Sequence, residues 1–85
     1  MQKSILIITL KSPTERCPNH VANGLLRKTN SDGITISGCR RLGRALYVLV
    51  EGVTDKIDGA VANMREYAGV TSCEATLPNP VATAA

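Results

Sequence analysis

The apolar and polar positions of this chain fall into six short segments, separated by turns that contain Pro, Gly, Asn or Asp. The clearest segment covers residues 44–52, where both alternating faces are largely apolar, as in a strand from the middle of a sheet. Residues 4–10 form a second apolar run, which is rich in β-branched side chains and stops shortly before Pro13. This pattern predicts two central strands.

Two segments have the apolar spacing of amphipathic helices. Residues 19–28 form the first, with Asn19 as the predicted N-cap. Gly24 in its middle costs about 1 kcal/mol relative to Ala, which predicts a weak helix or one that is closely packed at that point. The second helix is predicted to be capped by Thr54 or Asp55. Its apolar stripe consists of Ile57, Ala60, Val61, Met64 and Ala68.

The remaining segments predict two more polar strands and a tail. Residues 34–37 alternate between apolar and polar, as a half-exposed edge strand does, and residues 38–43 are predicted to be a hairpin connection. Gly69 suits the position just past the second helix. Residues 70–77 are then a last strand, with Thr71, Cys73, Ala75 and Leu77 on one face. Pro78 stops it, and residues 79–85 form a small-residue tail.

The predicted order is strand, helix, strand, strand, helix, strand, and the first and third strands are the most apolar. This order predicts a ferredoxin-like α+β fold over residues 1–78, with a four-stranded antiparallel sheet and both helices on one face. The chain has only 85 residues, so its core is thin. A partner or self-association is therefore expected.

Helices on one side leave the other face of the sheet open. If the even-numbered apolar residues of the 44–52 strand face the helices, Tyr47 and Leu49 point away from them. We expect Leu6 and Ile8 of the first strand to join them in an apolar, partner-binding patch. The edge strands are also expected to be able to accept an added strand, or to support a homo-oligomer through the sheet.

Arg40, Arg41 and Arg44 concentrate three cations near the predicted hairpin. One interpretation is a solvated loop, and the other is a contact for an acidic or phosphate-bearing partner. The net charge of +3 is mild, and Tyr47 is the one aromatic residue available to stack on a base, so nucleic acid binding is not expected.

The three cysteines and one histidine give little support for a metal site or an enzymatic activity. Cys17 and His20 have metal-ligand spacing, but Cys39 and Cys73 lie far away in sequence, and a zinc site needs about four ligands. We therefore expect no metal, no cofactor and no enzymatic activity. An odd number of cysteines suits a reducing compartment. With no secretory signal and no membrane-spanning run, the sequence favours a cytoplasmic protein.

The second half of the chain resembles the NapD family, the small cytoplasmic chaperones of periplasmic nitrate reductase. The resemblance lies in the strands at 34–37 and 43–51, the helix at 55–67 and the Gly-Val and closing strand at 69–74. It implies a protein that binds the twin-arginine signal peptide of a molybdenum enzyme precursor and holds the precursor back from export.

A second resemblance leads elsewhere. Residues 50–57, followed by Gly69-Val70, are similar to ACT-like regulatory domains, including the small regulators associated with iron-only hydrogenase systems. This resemblance implies an oligomeric regulator that senses a small ligand. Both interpretations agree on a ferredoxin-like binding domain, and fold analogy does not decide between them.

Overall fold

The computed structural model describes residues 2–76 and has the predicted βαββαβ order. The elements are β1 (Gln2–Leu10), α1 (Pro18–Lys28), β2 (Thr35–Leu42), β3 (Ala45–Gly52), α2 (Thr54–Glu66) and β4 (Val70–Thr76). Leu77, Pro78 and the predicted tail at 79–85 lie outside the described residues.

The four strands form one antiparallel sheet in the order β2-β3-β1-β4. The two strands that are apolar on both faces are therefore the central ones, as predicted, and the more polar strands are at the edges. This topology is the ferredoxin-like fold. No helix within residues 2–76 is long and apolar enough to cross a membrane.

The core lies between the sheet and the two helices. Alternate residues of the central strands are buried: Leu6 and Ile8 from β1, and Leu46, Val48 and Val50 from β3. Ile57 and Met64 of α2 and Leu25 and Leu26 of α1 cover them. The core within the described residues is aliphatic, and the two central strands contribute its rows of branched side chains.

The helix starts differ from the predicted caps. The first helical residue of α1 is Pro18, whose fixed φ and missing N–H suit that position, so Asn19 is inside the helix and is not its cap. Val53 precedes α2, and neither Thr54 nor Asp55 caps it. The hydroxyl of Thr54 instead donates a 2.6 Å hydrogen bond to the side-chain oxygen of Gln2, which ties the helix start to β1.

The end of α2 also comes earlier than predicted. The helix stops at Glu66 with Tyr67 as its C-cap, and Ala68 is exposed beyond the end. The backbone N–H of Tyr67 donates to the carbonyl oxygen of Met64, and that of Val70 donates to the carbonyl oxygen of Tyr67. This tight turn starts β4 at Val70, so Gly69 belongs to the turn rather than to the helix cap.

The second strand is twice as long as predicted, since residues 38–42 continue it rather than forming the hairpin connection. A bulge at Ser37 restores the alternation, and the turn is only Gly43-Arg44. Gly43 has φ of 61°, the pattern of a two-residue hairpin turn with Gly in first place. As a consequence, residues 38–42 present side chains on both faces of the sheet.

Candidate binding face on the open side of the sheet

The face of the sheet opposite the helices carries rows of side chains that the strand register defines. Residues directly opposite each other on paired strands share a face, so each row can be followed from β2 to β4. Two rows lie in the centre. From β2 to β4, the first consists of Arg40, Tyr47, Ile7 and Glu74, and the second consists of Gly38, Leu49, Ile5 and Thr76. They are flanked by a row of Leu42, Ala45, Thr9 and Ser72 and by a row that includes Thr35, Glu51 and Lys3.

The middle of this face is apolar. We call Ile5, Ile7, Tyr47 and Leu49 the apolar patch. Tyr47 is 37% exposed, and the other three are partly buried against their neighbours on the sheet. Gly38 has no side chain, and a hollow of about 390 Å³ lies beside it, lined by Arg40 and by patch residues. The open face therefore has an apolar centre with a shallow depression beside Gly38.

Two of the predicted apolar partner-binding residues are not on this face. Leu6 and Ile8 are 0% and 1% exposed and lie in the core, so their predicted place in the patch is wrong. The register pairs them with Val48 and Leu46, whose side chains face the helices. Tyr47 and Leu49 do lie on the open face, as predicted.

Sequence reasoning missed Ile5 and Ile7, which take the places expected for Leu6 and Ile8. Every position from Ile5 to Ile8 is apolar, so this run by itself has no visible phase. The charge of Lys3 was the signal, because Lys3 has the parity of Ile5 and Ile7 and a lysine is almost never buried. Polarity alone would not have been sufficient, since Ser4 is polar, has the opposite parity and is 2% exposed.

Charged side chains of both signs border the apolar patch. Arg40 and Glu74 stand at opposite ends of one row, on the two edge strands, and both are exposed. Lys3 and Glu51 are direct neighbours on the central strands. The face is thus an apolar centre with a polar rim, and its positive and negative groups are equal in number.

The predicted arginine cluster is divided between two tasks. The guanidinium of Arg41 points to the helix side and donates to the carbonyl oxygens of Thr14 and Arg16. That of Arg44 donates to the carbonyl oxygen of Lys11 at 3.4 Å. These two arginines hold the segment between β1 and α1 against the hairpin, and only Arg40 belongs to the open face.

A second concave surface lies on the helix layer. Residues of α1 and the segment before it line a groove of about 630 Å³, which includes Arg16, His20, Arg27 and Lys28. Gly24 forms part of its wall, and a Cβ there would meet no atom within 4 Å, so close packing is not the reason for this glycine. The groove is basic but open.

Two of the three cysteines have thiols with a raised pKa. Burial raises the pKa of the Cys73 thiol to about 11; nearby Arg65 lowers it, and Glu74 raises it. Burial and the neighbouring Cys17 also raise the pKa of Cys39. A raised pKa keeps a thiol protonated and unreactive near neutral pH. Within residues 2–76, no group of three or more His, Cys, Asp or Glu side chains is placed to hold a metal ion.

Comparison with known proteins adds no family assignment. A scan against protein-family models and a search of curated proteins both give no match. The strand order and topology of residues 2–76 define the chain as a ferredoxin-like α+β domain.

Proposed function

We propose that this chain is a non-catalytic binding protein, and that the open face of its sheet binds a twin-arginine signal peptide in the cytoplasm. Such a protein would shield the peptide and so hold a molybdenum enzyme precursor back from export. The observation that carries the proposal is the apolar patch of Ile5, Ile7, Tyr47 and Leu49, which no part of residues 2–76 covers.

The chemistry of a signal peptide suits this face. Its apolar segment would lie on the patch, where four side chains and the hollow beside Gly38 offer apolar contact and a place for one side chain. The four patch side chains are already partly buried, so each contributes on binding only through the apolar surface it still exposes, at about 25 cal/mol per Å² before the cost of ordering the peptide.

The arginines of the peptide would need carboxylates. Glu51 and Glu74 are the two acidic side chains on the open face, at one end of the patch and beside it. Arginine binds carboxylates through two parallel hydrogen bonds, so either position offers a specific contact. Arg40 and Lys3 would disfavour a second cation nearby, which limits how the peptide can be oriented.

Calorimetry with a synthetic twin-arginine signal peptide tests the proposal. We expect heat of binding from the natural chain, and its loss in Leu49→Asp, which places a charge in the middle of the patch. Val53→Asp is the matched control, because Val53 is 51% exposed and lies off the patch at the start of α2. An absence of heat at high micromolar peptide, with the fold intact, rejects the proposal.

The second candidate is an ACT-like regulator that oligomerises through its sheet and senses a small ligand. The observation in its favour is the distribution of charge on the open face. In each of two register rows, one positive and one negative group lie on opposite sides of the sheet's midline: Arg40 and Glu74 in one row, Glu51 and Lys3 in the other. Size-exclusion chromatography with light scattering, combined with the peptide calorimetry, separates the two candidates, since an oligomer that persists at low micromolar concentration without any peptide heat favours the regulator.

A further inference from the structure

We infer that the open face is self-complementary, and that two copies of this chain pair through it about a two-fold axis parallel to β1 and β3. The occupant of the face is then a second copy. This inference does not depend on signal-peptide binding, although both uses cover the same side chains and exclude each other.

The sheet order determines which residues such an axis brings together. The axis runs over the line between β3 and β1, the middle of the four-stranded sheet. Rotation by 180° places β1 of one copy over β3 of the other and β2 over β4. Because the axis follows the strands, each residue meets a residue from its own row in the second copy.

Every charged pair formed in this way joins opposite charges. Arg40 on β2 meets the partner subunit's Glu74 on β4, since both belong to the row that contains Tyr47 and Ile7. Lys3 on β1 meets the partner subunit's Glu51 on β3, because these two residues are register partners. The two-fold axis repeats each contact, which gives four pairs of opposite charge around the interface.

The apolar side chains match as well. Ile7 meets the partner subunit's Tyr47, and Ile5 meets the partner subunit's Leu49. Gly38 faces the partner subunit's Thr76, and the hollow beside Gly38 leaves room for it. Packed sheets cross at about −30°, which displaces the outer pairs by only a few ångströms, within the reach of Arg, Lys and Glu side chains.

The other symmetric arrangement is less favourable. An axis perpendicular to the strands exchanges the two central rows, so Arg40 meets the partner subunit's Gly38 and Glu74 meets the partner subunit's Thr76. That arrangement buries a similar apolar area but pairs no charges. Electrostatic complementarity sets the register of an interface, so it selects the axis parallel to the strands.

The dimer is expected to be weak. Four strands about 4.8 Å apart, over about six residues of 3.4 Å each, offer roughly 400 Å² of sheet per copy. A standard interface buries about 800 Å² per partner. The pairing would therefore dissociate on dilution, and a partner with higher affinity would displace it. The dimer would then be the form that the chain takes without such a partner, with the apolar patch buried between the two copies.

Charge exchange tests the inference. Sedimentation equilibrium over a concentration series measures the dimer dissociation constant of the natural chain. Arg40→Glu and Glu74→Arg each turn two attractive contacts into repulsive ones, so each variant is expected to weaken the dimer about tenfold or more. The double variant Arg40→Glu/Glu74→Arg restores the attraction, and an equal mixture of the two single variants should form heterodimers.

The controls reverse charges on the helix layer, where Lys28→Glu and Glu66→Arg should leave association unchanged. A chain that stays monomeric at all concentrations, or single variants that associate like the natural chain, overturns the inference. So does a double variant no better than either single one. A dimer without peptide heat rejects the proposed function alone, whereas peptide heat from a chain that never dimerises rejects this inference alone.

Discussion

The guanidinium of Arg41 on β2 donates a hydrogen bond to the backbone carbonyl oxygen of Thr14, 27 residues earlier in the chain. A second bond reaches the carbonyl oxygen of Arg16. Residues 11–17 have no regular secondary structure, and a loop of this kind needs partners for its carbonyl groups. Arg41 therefore fixes the route by which the chain passes from the sheet to α1.

This contact predicts different roles for two adjacent arginines. Arg41→Ala should lower the free energy of unfolding by about 1 kcal/mol, because it removes charge-assisted bonds to the loop. Arg40→Ala, on the exposed face, should change the free energy by less than about 0.5 kcal/mol. Urea unfolding of the two variants measures the difference. Equal values would show that the loop does not depend on Arg41.

Two glycines predict opposite responses to alanine. A Cβ at Gly24, inside α1, meets no atom within 4 Å, so Gly24→Ala should stabilise the chain by about 0.5–1 kcal/mol through helix propensity. Gly43 has φ of 61° in the β2–β3 turn, a conformation that alanine adopts at a cost. Gly43→Ala should therefore lower the free energy of unfolding of the chain by about 1 kcal/mol. Thermal melting of both variants tests the pair. A loss of stability in Gly24→Ala would mean that the added methyl group meets atoms that the open groove beside α1 does not place near it.

Which strands lie in the centre of the sheet was predictable, because the number of apolar faces on a strand indicates whether it is central or at an edge. Strands apolar on both faces belong in the centre, and 44–52 and 4–10 are the two that qualify. The length of β2 was not predictable in the same way. Gly38, Arg40 and Arg41 have turn-like composition, and their place in a strand depends on pairing with β3, a tertiary contact.

Of the four side chains in the apolar patch, the sequence predicted the two on β3 but not the two on β1. Tyr47 and Leu49 follow from the alternation of β3, since the even positions are the more uniformly aliphatic. In β1 the apolar run hides the phase, and a shift of one residue moves every side chain to the other face. The sequence could not predict which charged residues share a row on the open face. Arg40 and Glu74 lie in the same row only because of the register of three strand pairs.

The phase of β1 gives a direct test with neighbouring isoleucines. Ile8 is 1% exposed, so Ile8→Ala should cost about 2–4 kcal/mol in free energy of unfolding, through lost burial and a cavity. Ile7→Ala lies on the open face and should cost about 1 kcal/mol or less. Urea denaturation compares them under identical conditions. A larger effect at Ile7 than at Ile8 would reverse the assignment of the two faces.

The buried thiol of Cys73 predicts a pH dependence of stability. Its pKa rises from an ordinary 9.0 to about 11 in the folded chain, chiefly because it is buried. The unfolded chain therefore releases the thiol proton at lower pH than the folded chain does. The stabilising contribution is complete below pH 9.0 and is lost as the pH rises toward about 11.

A variant without the thiol isolates this contribution from the lysines and tyrosines that also titrate in alkali. Cys73→Ala should be less stable than the natural chain at neutral pH, because it leaves a small cavity under α2. The difference in urea midpoint between the two chains should then shrink as the pH rises through the window. Ser72→Ala is the control, because Ser72 is an exposed neighbour on the same strand with no titratable group, and its difference from the natural chain should stay constant. A constant difference for Cys73→Ala as well would mean that this thiol ionises in the folded chain as readily as in the unfolded one.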